Sequence, residues 1–344
     1  MNDINADILK VANSVNIISK TEYSLKGMVR NIAKIKIIDP YGNLSTDKNS
    51  KDTNTEIFYN VLASDIYNML YVASESSSQI NQHPSDDFLI NLSLANSGIG
   101  TWDEGWTMIG RDKYSDKIIV KKNDTKFWTC EKDVITENQN FSEGAHCIVK
   151  VGKEVQKLNS HFYMAFGNTW KKDIPDYENR MLRFYWNLTP EGAIHYIKLI
   201  TECLNQRNIF FRTKVISSPD DYCRADAGVL YIDGSQLEDV IPCVLDTHKK
   251  ICGYLKTNVP LFSKFIAKGL GFAEDPGNGN SFGISRSKLL AHALYDNFLN
   301  KNAQEEVLST IDHYFNIEGI DSRYPYASRI KLNDYENLFK DLPN

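Results

Sequence analysis

The stretch that most constrains this chain is "MLRFYWNLTPEGAIHYIKLITECLNQRNIFFRTKVI", residues 181–216. "MLRFYWNL" is apolar and aromatic over strand length. Thr189 then stands where a helix N-cap belongs, and Pro190 falls at the first helical position, where its missing N–H costs nothing. Ile194, Ile197, Ile200 and Leu204 recur at helical spacing and make one apolar stripe. "IFFRTKVI" returns as a second strand, so the segment reads as a β-α-β unit. "AGVLYID" follows as a third strand.

The second strand alternates. Phe211, Thr213 and Val215 belong to one face, and Arg212, Lys214 and Ile216 to the other. Two cations side by side on so apolar a strand mean either a solvated edge or a pocket built for an anion. Arg183 lies on the first strand of the same unit.

The rest of the chain divides by texture. "TEIFYNVLASDIYNMLYVAS" carries Ile57, Val61, Ile66 and Leu70 near helical spacing, and the polar "DPYGNLSTDKNSKDTNT" before it reads as an exposed loop. From about residue 96, "TKFWTCEKDVI", "HCIVKVGKEV" and "HFYMAFGN" are short strand-like segments broken by Gly, Asn and charges. Near the end, "SRSKLLAHALYDNFLN" reads as a helix entered from the glycine-rich "DPGNGNSFG". The expected fold is α+β (mixed α/β): a helical N-terminal region, residues 1–95, packed on a β-rich core, residues 96–344, that contains the β-α-β unit.

Composition narrows the function classes. A net charge of −5 gives no overall footprint for nucleic acid. No apolar run is long enough to span a bilayer, and the N-terminus lacks the basic start and apolar segment of a signal peptide. The six cysteines form no C-x-x-C, and no histidine pair has zinc-site spacing. Reduced, mostly buried thiols are expected, as in a cytoplasmic protein, and the sequon at Asn123 then needs no interpretation.

Arg183, Arg212, Lys214, Arg224 and Arg286 each sit in an otherwise tightly structured segment. Guanidinium forks suit carboxylate and phosphate oxygens, and a lysine among arginines has its ammonium form disfavoured, as a general base requires. The alternative is ion pairing with Asp220, Asp221 and Asp226. "DPGNGNSFGISRSK" lacks the Gly-Lys-[Ser/Thr] ending of a P-loop, and Gly277, Gly279 and Gly283 have the wrong spacing for a dinucleotide fingerprint. It is either a helix cap or, with Arg286, an anion seat. His195 and His292 fall in expected helices as packing or surface residues. Asp246 and His248 lack the Gly-x-Ser-x-Gly elbow of a hydrolase. Trp102, Trp106, Trp128, Trp170 and Trp186 read as core or loop anchors.

In combination, "VKVGKEVQKLNSHFYMAFGN", "RFYWNLTPEGAIHYIKLITECLNQRNIFFRTKV", "YCRADAGVLYI" and "EDPGNGNSFGISRSKLLAHAL" resemble the HopA family of bacterial type III effector-like proteins, over roughly residues 148–294. That family includes plant-pathogen effectors and proteins of class V lanthipeptide and thioamitide maturation, and is remotely similar to phosphothreonine lyases. The resemblance implies a lyase that removes phosphate from phosphoserine or phosphothreonine in a precursor peptide, working beside a peptide kinase. It implies no cofactor and no metal, and the net charge and hydropathy lead to an expectation of no nucleic-acid and no membrane partner. The setting it implies is the bacterial cytoplasm or, for an effector, a host cell. Lys214 would match the lysine base, with Arg212 steadying the developing charge. Arg183, Arg224 and Arg286 would hold substrate and phosphate. Where the lyases carry a histidine general acid, this chain has Tyr185. The alternative is a non-enzymatic effector or phosphopeptide-binding module using the same cations.

Overall fold

A computed structural model of the chain describes residues 4–34, 51–72, 85–122, 125–158, 161–169, 181–277, 279–301 and 306–339. Most of the polar stretch at 39–55, Asn123 and Asp124 of the sequon, Trp170 and Asn278 lie outside the described residues.

The β-α-β unit forms as its residues dictate. Strand β11 (Met181–Trp186) leads into helix α4 (Pro190–Gln206), where the Thr189 hydroxyl accepts from the Gly192 N–H at 3.1 Å. Strand β12 (Phe211–Ile216) follows, and β13 (Gly228–Asp233) inserts between the two, antiparallel to both. A seven-stranded sheet grows around them in the order β14-β15-β11-β13-β12-β10-β9, with β9 Glu154–Leu158, β10 Phe162–Phe166, β14 Lys264–Ala267 and β15 Leu270–Glu274. β12 is an interior strand, so the solvated-edge reading of its cations is excluded.

Each face of this sheet carries helices. Thr213 bonds the Tyr196 hydroxyl of α4 at 2.8 Å, and α4 packs beside α5 (Leu237–Ile251). The other face, bearing Arg183 and Lys214, meets α6 (Phe282–Leu299) and a π-helical turn, Tyr67–Tyr71, that ends α2 (Lys51–Ile66). The aromatic centroids of Tyr185 and Phe282 lie 6.1 Å apart, and those of Tyr71 and Phe282 6.3 Å. At Gly283 a Cβ would fall 2.4 Å from the Tyr71 ring, so the start of α6 reaches the turn only without a side chain.

The fold is α+β. Besides α1 (Ala6–Ser14), α2 and α3 (Asp86–Ala95), the N-terminal region holds an antiparallel meander, β1 (Val15–Ser19), β2 (Glu22–Leu25) and β3 (Met28–Asn31), that the apolar periodicity did not single out. Its buried residues, such as Ile8, Tyr23 and Phe58, join one continuous core with the large sheet, which extends through α7 (Val307–Ile317) to Phe339 of α8 (Leu332–Phe339). A third sheet has the order β6-β5-β4-β8-β7 and a small core of its own around Trp106, Ile118, Val120 and Val149. Its strands are β4 Thr101–Arg111, β5 Ile118–Lys122, β6 Thr125–Thr129, β7 Val134–Thr136 and β8 His146–Val151.

The expectation of reduced, mostly buried thiols is corrected. Cys203 of α4 and Cys243 of α5 form a disulfide, and of the remaining cysteines Cys130 and Cys252 are exposed. The helical stripe conceals this pairing because it is made between two helices side by side on one sheet face. Among the described residues no helix is long and apolar enough to cross a membrane.

Candidate functional site

Residues directly opposite across antiparallel strands project to the same face. The register aligns Ala273, Arg183, Tyr231, Arg212 and Phe166 in one row across β15, β11, β13, β12 and β10. The next row is Gly271, Tyr185, Val229, Lys214 and Met164. Arg183, Tyr185, Arg212 and Lys214, far apart in the chain, therefore share one patch of sheet.

Tyr231 organises the first row. The Arg183 guanidinium lies 5.3 Å from its ring centroid and that of Arg212 5.9 Å, within cation–π range. Arg183 also donates from Nε to Asp275 at 2.7 Å and from Nη2 to the same carboxylate oxygen. Burial works against its charge, but Tyr185, Tyr231 and Asp275 outweigh it and hold the cation firmly. Arg212 reaches the Met181 sulfur at 3.5 Å. With Met164, Gly277, Gly279 and Asn280, these residues line an open pocket of ≈ 310 Å³. Gly277 and Gly279 take left-handed φ of +66° and +75°, letting the chain after β15 turn tightly along its rim.

Lys214 sits one row along, its Nζ 4.0 Å from the Phe162 ring centroid. Neither Lys214 nor Tyr185 is among the described residues lining the pocket. Tyr185 is only 2% exposed. Burial pushes its phenol up to about 12, against the pull of Arg183 and Tyr71. A phenol so placed holds its proton tightly behind the pocket wall.

Arg224 forks onto Asp226, Nε to Oδ1 at 2.8 Å and Nη2 to Oδ2 at 2.9 Å, and Nη2 also meets the Tyr67 hydroxyl at 3.1 Å. The ion-pair alternative weighed from sequence is thus realised for Arg224. Burial raises the Asp226 carboxyl, but Arg224 and then Lys214 outweigh it and keep the group below its ordinary range. Asp226 is therefore an ionised carboxylate near Lys214. Arg286, 3% exposed, comes from α6 and donates Nε to the Pro325 carbonyl at 2.7 Å. Desolvation lowers it to about 10. It borders a smaller cavity of ≈ 150 Å³ that shares Asp275 and Gly277 with the larger one.

Asp275, Tyr231, Tyr67 and Met164 belong to the site and were not singled out from sequence. Asp275 looked like part of a capping turn, and Tyr231 like one aromatic residue of a buried strand. Only the strand register reveals that Tyr231 stands opposite both Arg183 and Arg212. Trp106 and Trp186 are core residues as expected, but Trp102 and Trp128 stand on an exposed sheet face. His195 and His292 stack on Tyr254 and Tyr59, in packing roles. Among the described residues no cluster suits a metal ion.

Among curated proteins none matches the chain. Two solved effector structures are similar. That from Pseudomonas syringae pv. tomato strain DC3000 has a TM-score of 0.46 and 16% identity, over 79% of this chain and 94% of that one. That from Pseudomonas syringae pv. syringae strain 61 has a TM-score of 0.42 and 12% identity, over 78% and 95%. The family model described as "HopA1 effector protein family" matches residues 154–327, half of the chain. That span runs from β9 through α7 and contains the sheet rows, the Arg224–Asp226 pair and Arg286. The protein whose cations converge on Tyr231 belongs to the HopA1 effector protein family.

Proposed function

We propose that the pocket between Arg183 and Arg212 binds the phosphate of a phosphorylated serine or threonine in a peptide, and that the protein eliminates it. The carrying observation is the shared face: two guanidinium groups flank one pocket-lining tyrosine, with a lysine one register row away. In the elimination, the Lys214 amine takes the α-proton, and the C–H electron pair becomes the Cα=Cβ bond. The Cβ–O bond breaks, and phosphate leaves with that electron pair. Arg212 and Arg183 offset the charge that accumulates on the phosphate oxygens. Tyr185, buried behind Arg183, acts through that arginine, and the leaving phosphate draws its proton from solvent in the open pocket. A peptide kinase supplies the phosphorylated substrate, in a bacterial cytoplasm or, for a translocated effector, in a host cell.

A second reading has its own observation. The ionised Asp226 beside Lys214 suits a fixed cation that recognises a phosphopeptide without reacting. Incubating the protein with phosphoserine and phosphothreonine peptides, with a thiol as trap, separates the two by mass spectrometry. Loss of phosphoric acid followed by thiol addition is expected. Lys214→Ala should abolish it with an unchanged circular dichroism spectrum, and retained turnover in that variant removes Lys214 as the base. Arg212→Ala should weaken phosphopeptide binding by roughly 1.5–3 kcal/mol, the worth of a charged hydrogen bond. Peptide that binds unchanged would favour recognition.

A further inference from the structure

The five-stranded sheet β6-β5-β4-β8-β7 buries one face on its own small core and turns the other outward. On the outward face the register gives three bands. The central band is Lys126, Lys121, Thr107 and His146, crossing four strands. On one side lie Trp128 and Ile119, a cross-strand pair. On the other lie the pairs Ile135–Ile148 and Trp102–Lys150. Trp102 is 45% exposed, Trp128 46% and Ile135 51%, and the lysines are exposed as well.

Lys121 and Lys126 stand directly opposite each other, an arrangement that costs a sheet stability. Neither they nor Lys150 has an ion-pair partner among the described residues. None of the registered outward positions holds a carboxylate, although the chain as a whole is acidic at −5. Glu104 lies in the bulge of β4, between Asp103 and Trp106. A like-charge pair in the middle of an apolar face is a cost without return in the free protein. It becomes favourable when anionic groups lie across it.

We propose that this face binds an extended acidic peptide segment, its carboxylates on the Lys126–Lys121–His146 band and its apolar side chains on the Trp128 and Trp102 sides. The band order argues for a peptide over a lipid surface. A face that docks on lipid presents its apolar residues centrally and lets lysines snorkel at the rim, whereas here the cations are central. The banding also matches an extended peptide laid along the strands, in which every second side chain faces the sheet and would meet apolar, cationic and apolar bands in turn. The sheet joins the large one through β8 and β9, at the edge two strands from β12. This site is separate from the Arg183–Arg212 pocket and needs no phosphate.

The test uses the whole protein and a fluorescein-labelled, unphosphorylated synthetic peptide in which every second residue is leucine and glutamate in turn, with serine between them, read by anisotropy at low and high salt. Salt-sensitive binding is expected, weakened about tenfold or more by Lys126→Glu. The same substitution creates an opposite-charge pair with Lys121, so its melting temperature should rise while binding falls. A merely structural face would not produce that opposition. Lys150→Glu should also weaken binding, and Arg212→Ala should leave it unchanged, which separates this site from the phosphate pocket. Absent binding, binding indifferent to Lys126→Glu, or loss in Arg212→Ala would each overturn the proposal. So would a preference for anionic vesicles or oligothymidylate that Lys126→Glu removes.

Discussion

A single carboxylate holds much of the site together. Asp226 is nine-tenths buried and takes both nitrogens of the Arg224 fork, with Tyr67 closing the group from the N-terminal region. Replacing it with asparagine leaves a buried guanidinium without its counter-charge, which costs about 3–5 kcal/mol. Urea unfolding of Asp226→Asn at neutral pH should reveal that loss. The pH dependence has a definite sign. The folded Asp226 group lies below its unfolded value, so its contribution is complete above the unfolded value of about 3.9 and fades as pH falls through the folded one. Asp226→Asn should therefore lose less stability than the parent on acidification, and equal acid slopes would contradict this account. Glutamate would not rescue it, because the longer side chain cannot keep the fork in a site with so little room.

Elements decide which of the sheet's faces can host chemistry. α4 and α5 close one side, and α6 and the π-helical turn approach the other closely enough to bury Tyr185 yet leave Arg212 at an open pocket. That approach depends on Gly283 at the start of α6. Gly283→Ala puts a methyl group into the Tyr71 ring, and relieving it must move a helix or a fully buried aromatic. The expected cost is about 1–3 kcal/mol, with a rise in amide exchange confined to α6 and the Tyr67–Tyr71 turn. Uniform exchange protection in that variant would show that the contact is not limiting. The sheet of β4 to β8 obeys a different rule: its like-charged pair is a local cost of about 0.2–1 kcal/mol, recoverable by Lys126→Glu.

At the scale of the whole molecule, one core joins residues from Ile8 to Phe339, and the Cys203–Cys243 bridge ties its two sheet-covering helices together. The bridge closes a separation of 40 residues, and Cys203→Ser/Cys243→Ser should cost about 2–4 kcal/mol under oxidising conditions. Adding reductant to the parent should bring its unfolding midpoint to that of the variant, and a midpoint insensitive to reductant would show the thiols unbridged in solution. What the sequence determined by itself is local. Thr189 and Pro190 start α4, its stripe of isoleucines selects the buried face, and the alternation of β12 assigns Phe211, Thr213 and Val215 to one side and Arg212 and Lys214 to the other. These depend on neighbours within a few residues, where periodicity and capping act. Even the family resemblance rests on such contiguous segments. Only the tertiary structure decided the rest: that β13 inserts between β11 and β12, that Tyr231 therefore faces both Arg183 and Arg212, that Arg224 belongs to Asp226, and that Tyr185 is sealed behind Phe282. Pairing across strands depends on which surfaces can be buried together, and that choice is made by the whole core at once.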